Sequence, residues 1–190
     1  MEYIKTHIEG LLIIKPRIFR DSRGYFMETF SKREFCEHVG DIQFVQDNLS
    51  ASMKGVVRGM HYQLMPYAQS KLVRCVSGRV LDVAVDVRPG SPTFGEHVAV
   101  ELDADCGTQL FLPKGMAHGF AVLSEHAVFE YKCDAYYRPE AEDGFNPFDS
   151  ALGIDWRISY ADAILSDKDK KRCSFADAIE NLNFTGNLYE

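Results

Sequence analysis

Apolar residues recur at every second position through much of this chain. In Val80-Leu81-Asp82-Val83-Ala84-Val85-Asp86-Val87, Leu81, Val83, Val85 and Val87 share one face of an extended strand, and Asp82 and Asp86 share the other. Ser77-Gly78 just before it reads as a hairpin turn. The same reading places strands over 10–14, 43–46, 97–102, 109–112, 120–123 and 127–136, with breakers at Pro89-Gly90 and 105–107. Helical spacing stands out at two places. Ser31-Lys32-Arg33-Glu34 has the spacing of a capping box, with Phe35 and Val39 four apart behind it. Ser174 is placed to cap a short helix through Ala178 and Ile179, with Asp177 in its first turn. Many short strands and few helices predict an all-β sandwich or jelly-roll barrel, whose interior suits a small ligand.

Composition narrows the picture. At 190 residues, 46% hydrophobic and 26% charged, the chain reads as one globular domain over 1–190. A net charge of -7 argues against a nucleic-acid partner, because phosphate backbones are bound by surplus Lys and Arg. One diphosphate needs only a local cluster of cations. The N-terminal segment lacks the basic start and apolar run of a signal peptide, and no apolar run reaches membrane-spanning length. The five cysteines are scattered and contain no Cys-x-x-Cys pair, so reduced thiols and a cytoplasmic location are expected.

Candidate chemistry gathers on short strand-like segments. GVVRGMHYQ (55–63) carries Arg58 and His61, with Gly59 allowing close backbone approach. SKLVR (70–74) adds Lys71 and Arg74. In Phe129-Glu130-Tyr131-Lys132-Cys133 the pleat puts Tyr131 inward with Phe129 and Cys133. His exchanges a proton near neutral pH, and Tyr stays protonated there. Each residue alone reads as ordinary packing. Together, with cations that are costly to bury unless an anion arrives, they point to proton transfer beside a carbonyl. His118 has the Pro-x-Gly-x-x-His spacing of the second cupin motif, but 61–63 offers no His-x-His pair. Too few imidazoles converge for the usual ligand set, and no metal is expected. Asp167-Lys168-Asp169-Lys170-Lys171 reads, by itself, as a solvated charge run.

The ordered set RDSRGYFMETF, FVQDN, GVVRGMHYQ, KLVR, GRVLDVAVDVRPGSPTFG, LPKGMAHGF, EYKCDAYY and LSDKD resembles the dTDP-4-dehydrorhamnose 3,5-epimerases, from roughly residue 4 to residue 170. The resemblance implies a cupin-type jelly roll with a few short helices, working as a homodimer without metal or organic cofactor. It implies that His61 is the general base, oriented by Asp169, and that Tyr131 donates the proton. Lys71 would lie near the keto oxygen. The family's nucleotide contacts carry over to Arg23, Glu28, Gln46, Asp47, Asn48, Arg58, His118, Glu142 and Lys168. Arg23 and Glu28 look like a segment reaching into the partner's site. Where many relatives carry a Trp-Asn-Asp block, this chain reads Asn146-Pro147-Phe148-Asp149, which bears on the loop around Glu142.

The implied substrate is a dTDP-linked 4-keto-6-deoxy sugar, whose C3 and C5 hydrogens flank the ketone. Other readings are an epimerase acting at C3 or C5 alone or on another nucleotide-sugar, a non-catalytic saccharide-binding cupin, and a metal-dependent cupin oxygenase.

Overall fold

The structure is a computed structural model and describes residues 1–185 and Leu188. Strands β1 (Glu2–Lys5) and β2 (Leu12–Lys15) come first, then the hairpin of β3 (Ile18–Asp21) and β4 (Gly24–Met27) and helix α1 (Lys32–His38). The body follows as β5 (Gln46–Met53), β6 (Val57–Gln63), β7 (Lys71–Ser77) and β8 (Arg79–Asp86). It continues through β9 (His97–Asp103), β10 (Gln109–Leu112), β11 (Met116–Val122) and β12 (His126–Cys133). Short β13 (Glu142–Gly144) and helix α2 (Phe175–Ile179) come last.

Two antiparallel sheets face each other. One has six strands in the order β1-β2-β10-β7-β12-β5, the other five in the order β13-β6-β11-β8-β9. This is the jelly roll of the cupins. Between the sheets lies a core of Val73, Val80, Leu110, Phe120 and Phe129, among others. The outer face of the five-stranded sheet is covered by the C-terminal segment through Phe145, Trp156 and Leu165. Helix α1 covers the other sheet, with Phe35 packed on Leu72 and Phe111.

Strand β8 is the expected alternation with both faces buried. Leu81, Val83 and Val85 face the C-terminal layer, while Val80 and Ala84 face the inter-sheet core. Asp82 and Asp86 are fully buried, so each needs partners. Asp86 accepts from Arg88 Nε at 2.9 Å, Ser91 Oγ at 2.6 Å and Thr93 Oγ1 at 2.7 Å. Asp82 accepts from His118 Nε2 at 2.8 Å.

Some local expectations change. Ser31 is the N-cap of α1 but makes no side-chain cap bond. The Glu34 carboxylate takes the Met1 ammonium at 2.8 Å instead, a charge-assisted bond that competes with the capping box. Ser174 caps α2 by accepting from Asp177 N, as its position predicts. The strand expected at 43–46 begins only at Gln46 and runs to Met53. It escapes the hydrophobic pattern because Asn48, Ser50 and Ser52 are its sheltered face, while Leu49 and Met53 are exposed.

Candidate active site

Strand β6 places His61 directly across from His118 of β11. Gly59 makes this approach possible: a Cβ there would strike the backbone of His118 and Gly119, and its φ of 131° suits glycine. Beside it the β6–β11 register shifts between His118 and Phe120. From the opposing sheet, the pleat of β12 turns Tyr131 inward with Phe129, and β7 turns Lys71 inward with Val73. The Lys71 ammonium stands 5.7 Å from the centre of the Tyr131 ring. The imidazole and the phenol thus come from opposite sheets and line one cavity of about 490 Å³.

The charge run at 167–171 folds onto this cavity. Ser166 Oγ accepts from Asp169 N at 3.0 Å, and a single 3-10 turn over Asp169–Lys171 carries the Asp169 carboxylate inward to 4% exposure. His61 Nε2 donates to Asp169 Oδ1 at 2.6 Å. In a neutral ring this bond makes Nε2 the protonated nitrogen and leaves the lone pair on Nδ1. Burial opposes the Asp169 carboxylate, but the His61 bond and the Ser166 hydroxyl outweigh it and hold its pKa below the ordinary value. Burial pushes the Tyr131 hydroxyl up, with Cys133 adding to it, so the phenol stays protonated. Burial pulls Lys71 down, against the attraction of Cys133, Asp82 and Glu142.

Nine of the expected site residues line this cavity: His61, Tyr131, Asp169, Lys71, Asn48, Arg58, His118, Glu142 and Lys168. Arg58 is held by Ser52 Oγ at 3.1 Å. Gln46 and Asp47 line an adjoining groove instead. There Asp47 pairs with Lys132 at 2.9 Å, and Gln46 donates to Asn48 Oδ1 at 2.9 Å. Arg23 and Glu28 do not line the cavity of their own chain. Arg23 lies at the exposed turn of the β3–β4 hairpin, bonded to Asp21 at 2.6 Å, and Glu28 follows the hairpin, also exposed. Arg74 also belongs elsewhere. The β7 pleat turns it away from Lys71, and it pairs with Glu130 at 2.6 Å.

Four participants were not singled out from the sequence. Tyr137 lines the cavity and donates to Glu142 Oε2 at 2.5 Å. Ser166 orders the turn, Asp82 fixes His118, and Arg172 reaches Glu142 Oε1 at 2.9 Å. Tyr137 ends the EYKCDAYY block and Ser166 lies in LSDKD, so both carried a signal. Asp82 looked like a strand's polar alternate, and Arg172 lies beyond every matched block. Burial disfavours the Glu142 carboxylate, yet Lys168 and the Tyr137 hydroxyl keep its pKa low. Among the described residues no group of three or more His, Cys, Asp or Glu is arranged to hold a metal.

Known proteins share this chain's sequence pattern and fold. The family model described as dTDP-4-dehydrorhamnose 3,5-epimerase matches residues 5–177. The dTDP-4-dehydrorhamnose 3,5-epimerase of Shigella flexneri is 51% identical over 179 residues, covering 94% of this chain and 98% of that protein. The crystal structure of a dTDP-6-deoxy-D-glucose-3,5-epimerase from Legionella pneumophila, in complex with dTDP-4-keto-L-rhamnose, superposes with a TM-score of 0.90. It is 45% identical, covering 97% of this chain and 99% of that one. A 3'-monoepimerase from Streptomyces bikiniensis, in complex with dTDP-quinovose, gives a TM-score of 0.86 at 38% identity, covering 93% of this chain and 89% of that one. The chain belongs to the dTDP-4-dehydrorhamnose 3,5-epimerase family.

Proposed function

We propose that this chain epimerises dTDP-4-dehydro-6-deoxyglucose at C3 and C5, giving dTDP-4-dehydro-L-rhamnose, with His61 as base and Tyr131 as acid. The observation that carries this reading is the 2.6 Å His61–Asp169 bond on one wall of a cavity whose opposite wall holds Tyr131 and Lys71. The C4 ketone makes the hydrogens on C3 and C5 acidic. The His61 lone pair takes one of these protons, and the C–H electron pair moves to the C4 oxygen as an enolate. Tyr131 returns a proton to the other face of the same carbon, inverting it; water then takes the proton from His61 and reprotonates Tyr131, so that the pair can act on the second carbon. Asp169 holds the tautomer and stabilises the imidazolium.

Positioned acid–base groups supply about 10²–10⁴-fold. The enolate charge therefore needs its own stabilisation, which a preorganised Lys71 cation provides. Arg58, Asn48, His118, Glu142 and Lys168 bind the nucleotide-sugar around that centre. Further support comes from the Legionella relative, which is bound to dTDP-4-keto-L-rhamnose.

The working form is a homodimer in which Arg23 and Glu28 complete the partner's site. Support comes from the β3–β4 hairpin, which stands off its own cavity with Phe26 69% exposed. We read the chain as a single domain over 1–190 in the cytoplasm. Five free thiols fit that reading.

His61→Asn tests the base assignment. Turnover should fall by about 10³-fold or more while dTDP affinity stays within about threefold. Near-normal turnover would remove His61 as the base.

A further inference from the structure

Glu142, its side chain only 12% exposed, is paired with two cations. Its Oε1 accepts from Lys168 Nζ at 2.8 Å and from Arg172 Nη2 at 2.9 Å, and its Oε2 accepts from Tyr137. The two cations are not equivalent. The Lys168 side chain is 55% exposed and reaches Glu142 from the solvent side, whereas the Arg172 side chain is 11% exposed. Arg172 Nη1 also donates to Asp143 Oδ1 at 3.1 Å, and its Nε is buried without a hydrogen-bond partner. The planar guanidinium thereby holds two neighbouring carboxylates from a single fixed position. Its backbone N donates to Asp169 O, so it closes the turn that carries the His61 partner.

We propose that Arg172 is a positioning residue: as the standing counter-ion of Glu142, it frees Lys168 to leave that carboxylate and pair with the diphosphate of a bound nucleotide-sugar. This rests on reading the cavity as a nucleotide-sugar site. The physical reason is an exchange of partners. A nearly buried carboxylate stripped of its cation is costly, whereas an exposed Lys–carboxylate pair is held weakly. With Arg172 in place, Lys168 departs at little cost when a diphosphate arrives. Without Arg172, Glu142 and the incoming anion compete for one ammonium.

Calorimetric titration with dTDP needs no turnover and reads this coupling directly. Arg172→Met should weaken dTDP binding about tenfold in the parent chain. In a Lys168→Met background the same change should cost less than about twofold, since no ammonium remains to be released. A loss of equal size in both backgrounds would mean that Arg172 merely supports the loop, and would overturn the inference. Should Arg172→Met fold poorly, Arg172→Gln takes its place in both backgrounds with the same two outcomes, and the Glu142→Gln chain supplies a further check. In the Glu142→Gln chain Lys168 is already free, so adding Arg172→Met should cost less than about twofold there as well. A tenfold loss in that background also overturns it. If the parent chain binds dTDP and the coupling is absent, this inference alone fails. If the parent chain does not bind dTDP, the functional reading fails with it.

Discussion

Two buried carboxylates show how one residue type is put to different uses. Asp169 and Asp86 are both almost inaccessible to water and both are paired, but the partners differ in kind. Asp169 holds an imidazole that can change its charge, whereas Asp86 holds a guanidinium that cannot. Asp86 is accordingly structural. Arg88→Met should destabilise the fold by about 3–5 kcal/mol, because it leaves a buried carboxylate without its cation; the denaturant midpoint measures this. The sequence made His61 and Tyr131 visible through residue type and strand pleat. It could not make Arg172 visible, since its meaning comes from folding back onto Glu142 and Asp143 in another part of the chain.

At the level of strands, the close crossing of β6 and β11 sets the geometry of the site. A Cβ at Gly119 would meet Met60 Sδ and Arg58 O, so Gly119→Ala must push the two strands apart. The expected cost is about 1–3 kcal/mol of stability, with turnover falling together with it because His61 and His118 pair across that crossing. Unchanged stability and turnover would mean that the spacing is not what positions His61. The apolar patterns of β8, β9 and β10 could be read in advance because those strands pack an ordinary apolar core. Strand β5 could not. It turns its polar residues toward the site side and its apolar ones outward, which inverts the pattern that identifies a strand. The β3–β4 hairpin was legible only as a motif: the resemblance, not the hydrophobic pattern, pointed its arm toward a partner's site, and its two strands fall outside the strands the alternation predicted.

For the molecule as a whole, thiols, acid stability and assembly offer separate tests. Burial pushes the Cys75 and Cys133 thiols up to about 11, whereas Cys106 and Cys173 are exposed. A thiol reagent at neutral pH should therefore modify Cys106 and Cys173 first and reach Cys75 and Cys133 only on unfolding. Asp169, Glu142 and Asp86 all have carboxyl pKa values held below the ordinary range. Their contribution to stability is complete above the unfolded carboxylate pKa of about 4 and is lost as pH falls through the lower folded values. Thermal midpoints should thus fall steeply below about pH 4, and less steeply in Asp169→Asn. The proposed dimer predicts complementation. His61→Asn and Arg23→Ala chains, each impaired alone, should regain activity when mixed and allowed to exchange subunits; no recovery would place Arg23 outside the partner's site. The most direct measurement of the central claim is turnover of dTDP-4-dehydro-6-deoxyglucose in D₂O followed by NMR. Proton removal by His61 and return by Tyr131 predict deuterium at both C3 and C5 of the product. Label at one carbon would contradict double epimerisation, and label at neither would contradict the proton-transfer mechanism itself.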